Sequence, residues 1–94
     1  MEEKEIVEID GGQMLNHRMA HDHLTERLHF PDYYGRNLDG LYDLLSERGT
    51  PTQLVVRHKR TLLSWLGDYG EAICQTLEDA ERSNPMLEIL FLDD

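Results

Sequence analysis

Three short apolar runs, at 6–9, 54–56 and 87–92, constrain the fold more than anything else in the sequence, because the stretches between them are far too long to be hairpin turns. The first run, Ile6-Val7-Glu8-Ile9, is β-branched and is followed by the turn cluster Asp10-Gly11-Gly12. The second, Leu54-Val55-Val56, reads as a buried strand. The third follows Ser83-Asn84-Pro85 and is mostly apolar, which predicts a central strand. The intervening stretches carry helical spacing. Met19, Ala20, Leu24 and Leu28 predict a helix over 16–28 with a polar outer face, ended by Pro31. Leu38, Leu41, Tyr42 and Leu45 form one core-facing stripe of a helix over 38–47, capped by Asn37 and stopped by Gly49 and Pro51. Leu62, Leu63, Trp65 and Leu66 predict a short helix closed near Gly67 or Gly70. Ile73, Leu77 and Ala80 predict another over 71–82. The order is β-α-α-β-α-α-β. Parallel neighbours need long crossovers, so the expected class is α/β, a small three-stranded parallel sheet packed with about four helices.

A chain of 94 residues supports one domain, expected to span 1–94. At this size roughly 60–65% of the unfolded surface is buried on folding, enough for a core without metal or disulfide. The chain has one cysteine, Cys74, so it forms no internal disulfide and lacks a multi-cysteine zinc set. Cys74 reads as a small core residue on the last helix. A free thiol fits a reducing compartment, no apolar run has the length of a membrane span, and the acidic start Met1-Glu2-Glu3-Lys4-Glu5 does not lead into a signal-peptide core. Cytoplasmic residence is expected. Nineteen acidic side chains against nine basic ones give a formal charge of −10. Such a charge repels nucleic acid and anionic membranes, attracts cationic partners, and strains the folded state by self-repulsion that added salt relieves.

The helix beginning at Leu38 carries the most functional information. Asp39 and Asp43 stand at i and i+4 away from its apolar stripe, with Ser46 one turn on and Glu47 close by. Asp39 is favoured at the helix start, but Asp43 is a poor interior residue with no help from the macrodipole. An ordinary solvated face would explain this much. The preceding loop adds Tyr33 and Tyr34 beside Gly35, rings that either anchor interfaces or pack under a loop. Together they describe a patch with aromatic anchors and a negative centre. Its complement is a cleft of arginine, lysine or histidine, such as one built for RNA phosphate.

The stretch Pro31-Asp32-Tyr33-Tyr34-Gly35-Arg36-Asn37-Leu38-Asp39-Gly40-Leu41-Tyr42-Asp43-Leu44-Leu45 resembles the central motif of the barstar family, P-x-Y-Y-G-x-N-L-D-A-L-x-D-x-L, without a gap. The order of elements on both sides fits as well. The resemblance implies a compact α/β domain with a three-stranded parallel sheet. It also implies tight 1:1 inhibition of a barnase-type ribonuclease, small and basic, by a chain that is monomeric when free. Carried over position by position, Tyr33, Gly35, Asn37, Leu38, Asp39, Tyr42, Asp43 and Ser46 match partner-binding positions. Asp43 matches the aspartate that enters the phosphate-binding centre, and Asp79 matches a further acidic contact with a shorter side chain. Barstar itself is a known example of an extreme hot-spot aspartate and of strong charge-pair coupling. Departures lie around the motif. Tyr42 stands where the best-known member has tryptophan and Ser46 where it has threonine. Glu47 and Arg48 replace a glycine and a tryptophan, and Gly40 replaces an alanine. On this reading Arg48 would face a basic partner and act against the wrong one.

Other constellations are weaker. His17 and His21 are at i and i+4 with His23 nearby, a spacing able to hold zinc or nickel. No H-E-x-x-H pattern or completing ligand accompanies them, so they read as surface histidines, with no metal. His58-Lys59-Arg60 reads as a small basic cluster at a strand end. No nucleophile motif or phosphate loop is present, and no cofactor or catalytic residue is expected. The alternative to a ribonuclease inhibitor is a binding or immunity module of the same fold with a different partner, separable by capture of partners.

Overall fold

The structure, a computed structural model, describes residues 3–93. Met1, Glu2 and Asp94, which belong to the domain expected from the sequence, lie outside them. Strand β1 (Glu5–Asp10) leads through a single 3-10 turn (Gly11–Gln13) to helix α1 (His17–Leu28). Helix α2 (Leu38–Ser46), strand β2 (Thr52–Arg57), helices α3 (Lys59–Leu66) and α4 (Asp68–Ser83), and strand β3 (Leu87–Phe91) follow. The strands form one parallel sheet in the order β1-β2-β3, with Val7 opposite Leu54 and Leu54 opposite Ile89. The α/β class, the three parallel strands and the four helices are those the sequence predicts.

The position of β3 is a correction, because β2 is the central strand and β3 lies at the edge. The physical reason is visible in the burial. A central strand is covered on both faces, and β2 buries Leu54, Val55 and Val56 consecutively. β3 buries Leu87 but leaves Leu90 43% exposed. Val7, Ile9, Leu54, Val56 and Leu87 share one sheet face and meet Leu24, Leu28, Leu41, Leu45, Leu62, Ile73 and Leu77 from the helices in one core. Cys74 is buried in it.

Helix boundaries follow local chemistry. Asn16 and Asn37 cap α1 and α2, accepting from the Met19 and Gly40 N–H groups at 2.8 and 2.6 Å. Gly67 closes α3, so α4 begins three residues earlier than the apolar spacing predicts. Gly70 is therefore not a stop. It lies inside α4, where a side chain would press on Leu62 and Leu66 of α3. Gly11 has a similar constraint, since a Cβ there would come within 2.4 Å of the His58 carbonyl.

The buried face of α1 differs from the predicted one. Met19 is 38% exposed, whereas His21 and His23, expected at the surface, are buried. The His21 ring bridges two hydroxyls, Nδ1 to Tyr34 at 2.5 Å and Nε2 to Tyr69 at 2.6 Å, and His17 stacks on Tyr69. A neutral imidazole has one donor and one acceptor, so both ring nitrogens are satisfied without charge. His23 Nε2 accepts from the Asp10 N–H at 2.9 Å, which fixes the end of β1 on α1. Among the described residues no group of three potential metal ligands comes together.

Burial, joined by the charges of His17 and Arg36 and opposed by Asp22, pushes the His21 pKa below 6.5. Burial does the same to His23, against Asp10 and Glu26. The unfolded chain therefore takes up protons first as pH falls. What these rings contribute to stability is complete above pH 6.5 and is lost as pH drops from there through their folded pKa values. Ring-proton NMR should find both midpoints below 6.5, and midpoints at or above that value would contradict the burial argument.

Candidate functional site

Helix α2 places its residues in two classes. Leu41 and Leu45 are fully buried, with Leu38 and Tyr42 half-buried beside them. Asp39, Asp43 and Glu47 are exposed on the outer side. Three tethers hold the helix in place. It packs on α4, the Tyr42 hydroxyl meets Ser83 Oγ at 2.6 Å, and buried Asn84 donates to the carbonyls of Leu45 and Arg48 at 2.9 Å each. The acidic side is thus presented by a helix that cannot easily turn.

The loop before α2 divides its two tyrosines. Tyr34 is 7% exposed, packs against Phe30 at a centroid distance of 4.7 Å, and hydrogen-bonds His21. Burial pushes its hydroxyl pKa well above the usual tyrosine value. Tyr33 is 82% exposed. One ring pins the loop to the core while its neighbour points outward. Arg36, in the left-handed region at φ 54, pairs with Asp22 of α1 and holds the other end of the loop.

Between the loop and α2 lies a hollow of about 270 Å³ lined by Tyr33, Tyr34, Gly35, Gly40, Asp43, Leu44 and Glu47. Its depth depends on Gly40. A Cβ there would stand 3.1 Å from Asn37 Oδ1 and 3.3 Å from the Tyr34 ring. The Asp43 and Glu47 carboxylates make no hydrogen bond or ion pair with another described residue. The backbone around them is occupied: the Asp43 carbonyl accepts from Glu47 N–H at 3.1 Å and from Ser46 Oγ at 3.1 Å.

Of the partner-binding positions carried over from the resemblance, Tyr33, Gly35 and Asp43 meet at this hollow, together with Tyr34, Gly40 and Glu47. Asp39 is exposed on the first turn of α2. Asn37 is spent on capping, and its Nδ2 donates weakly to Gly35 O at 3.4 Å. Leu38 packs against the core, while Tyr42 and Ser46 are held by the hydrogen bonds already given. Asp79 is partly buried on α4, one turn before Ser83, and its carboxylate is engaged by Gln75 at 3.0 Å and by Arg82. The role read for Arg48 is corrected. Its side chain is only 17% exposed. It donates to Thr52 Oγ1 at 2.8 Å and Glu5 at 2.7 Å, with a longer bond to Leu28 O. It clamps the start of β1 to that of β2 and does not face a visitor. Sequence reasoning did not find Leu44 or the closeness of Gly40 to the Tyr34 ring. The i+8 position of Glu47 after Asp39 was the available signal for its place in the row.

Asp39, Asp43 and Glu47 repel one another at i, i+4 and i+8, and Glu47 at the C-cap opposes the helix dipole. No hydrogen bond or ion pair from another described residue offsets this. Asp43→Asn and Glu47→Gln should each raise stability by about 0.3–1 kcal/mol in urea unfolding at low salt. Loss of stability in either would mean that the carboxylate has a partner within the fold.

A family model described as Barstar (barnase inhibitor) matches residues 4–91. A Bacillus subtilis (strain 168) protein described as "Putative ribonuclease inhibitor YrdF" is 38% identical over 74 residues, covering 78% of this chain and 81% of that protein.

Proposed function

This chain belongs to the barstar family, and from that premise we propose that it inhibits a small basic ribonuclease of the barnase type by seating the α2 carboxylates in the cleft that otherwise holds RNA phosphate. Asp43 is the central group, with Tyr33 and Gly35 beside it and Asp39 along the helix. Asn37 and Leu38 set the start of α2, Tyr42 and Ser46 border the acidic row, and Asp79 supplies a flanking contact from α4. The protein acts by occupying a site, as a 1:1 partner, and performs no chemistry of its own.

One observation carries this reading. Asp43 is a helix-interior aspartate, exposed and unengaged among the described residues, in the wall of a hollow beside an outward tyrosine. A carboxylate in that position is available to the arginines that bind phosphate, with which it pairs by the same forked hydrogen bonds. The net charge of −10 adds long-range attraction to a basic partner. The described residues include no helix long and apolar enough to cross a membrane.

The test is an inhibition assay against a small panel of barnase-like ribonucleases. At least one should be inhibited at 1:1 stoichiometry. Its association rate should fall roughly tenfold or more between about 20 and 500 mM salt, as the Debye length shrinks below 10 Å. A panel left fully active, with a separate protein captured as partner, would favour the non-ribonuclease module.

A further inference from the structure

The pairing of β1 with β2 decides which backbone groups of β1 are left over. Glu5 N–H bonds Pro51 O, so Glu5, Val7 and Ile9 turn their backbone groups toward β2, and Ile6, Glu8 and Asp10 turn theirs to the free edge of the sheet. Helix α1 closes the far half of that edge. His23 Nε2 accepts from Asp10 N–H and Arg27 Nε donates to Glu8 O, at 2.9 Å each. The near half stays open. Ile6 N–H, Ile6 O and Glu8 N–H bond no other described residue, and the Ile6 side chain is 64% exposed. Two adjoining hollows of about 210 and 320 Å³ lie between the edge and α1, and Glu26 lines both. The other carboxylates in their walls are engaged: Glu5 by Arg48, Glu8 by Arg57, and Asp10 by Gly12 N–H and Gln13. Glu26 is exposed and makes no hydrogen bond or ion pair with another described residue.

We propose that this open edge is a docking site for an extended segment of a partner protein, laid along β1 as a fourth strand, with a lysine or arginine side chain set against Glu26. A strand edge with unpaired N–H and C=O groups is a template for pairing. Strand addition draws its affinity from those groups and its specificity from alternate side chains. Alternation assigns the two sides here. A residue opposite Ile6 shares its side of the sheet and meets the exposed apolar side chain. The residues before and after it point toward α1 and the Glu26 carboxylate. This holds for either strand direction, so the segment that fits reads cationic, apolar, cationic. The net charge of −10 favours it over an acidic one. The groove shares no lining residue with the hollow at α2, so filling one does not fill the other.

The probe is the peptide N-acetyl-Thr-Lys-Val-Lys-Thr-amide, titrated into the ¹⁵N-labelled full chain and followed by NMR at low salt. Two comparison peptides separate the causes. One carries glutamate in place of both lysines. The other keeps both lysines and has an N-methyl group on valine, which removes a strand bond at unchanged charge. Saturable shifts should centre on Ile6, Val7, Glu8, Glu26 and Arg27, and each comparison peptide should bind roughly tenfold more weakly or worse. Glu26→Gln should weaken the probe about threefold, while Glu71→Gln, the same charge change on exposed α4 surface, should leave it unchanged. Ile6→Pro should abolish saturable binding. It removes the outward N–H and spares the bonds to β2, since proline is tolerated where the N–H faces away from the sheet. Equal binding by the N-methyl peptide would overturn the strand addition, and that result is read in the unaltered protein even if Ile6→Pro fails to fold. Shifts centred on α2, or equal binding by Glu26→Gln, would overturn the site.

Discussion

Asp43→Ala should all but abolish inhibition while leaving the protein folded and slightly more stable. The two effects have separable causes. Within the chain, Asp43 is a cost: alanine is the better helix former by up to about 0.7 kcal/mol, and its introduction relieves repulsion from Asp39 and Glu47. No hydrogen bond or ion pair of the Asp43 side chain to another described residue is lost. In the complex, truncation leaves the partner's phosphate-binding cations buried without a counter-charge, which weakens binding by several kcal/mol, each 1.4 kcal/mol being tenfold in Kd. That scale is carried over from barstar, the known case of an extreme hot-spot aspartate, and does not come from the geometry. Titration calorimetry together with urea unfolding separates the effects. Tight inhibition by Asp43→Ala, within threefold of the parent, would remove Asp43 from the centre of the interface.

Asn84→Ala should produce the converse pattern, a large loss of stability with affinity retained in the molecules that remain folded. Asn84 is 5% exposed and its side chain makes three hydrogen bonds to described residues, donating to Leu45 O and Arg48 O and accepting from Met86 N–H at 3.0 Å. These join the end of α2, the turn after it and the approach to β3. Alanine leaves the Arg48 carbonyl and the Met86 N–H short of a partner, each costing about 1–3 kcal/mol if water cannot reach it, while the Leu45 carbonyl keeps the Arg48 N–H. A net loss of roughly 2–4 kcal/mol is expected, a large share of the ~5–15 kcal/mol that holds such a domain together. The urea midpoint should drop with little change in slope. A loss below about 1 kcal/mol would show that water replaces the amide and that the α2 end is held by other contacts.

Features carried by local spacing were legible in the sequence. The stripe Leu38, Leu41, Tyr42 and Leu45 fixed which side of α2 faces inward, and Asn37 fixed where the helix starts, because both signals lie within one or two turns of chain. Features set by partners distant in the chain were not legible. His21 is buried because Tyr69, on α4, supplies the hydroxyl that satisfies its second ring nitrogen. Arg48 turns away from the acidic side because Glu5 and Thr52 lie at the start of the neighbouring strands. The apolar content of β3 did not reveal its edge position, since strand order depends on packing between elements and not on any one segment. At the site, the carboxylate row could be read directly, but which of Tyr33 and Tyr34 turns outward could not. The hollow could not, because it requires Tyr34 to turn inward against Gly40.

Competition between the inhibitor and a mononucleotide is the most direct measurement. With the inhibited ribonuclease pre-loaded with a 3′-mononucleotide that it binds, the apparent Kd of the inhibitor should rise in proportion to nucleotide concentration, since phosphate and the Asp43 carboxylate would claim the same cations. An apparent Kd that stays constant while the nucleotide is bound would contradict the account, because the α2 face would then be docking somewhere other than the phosphate site.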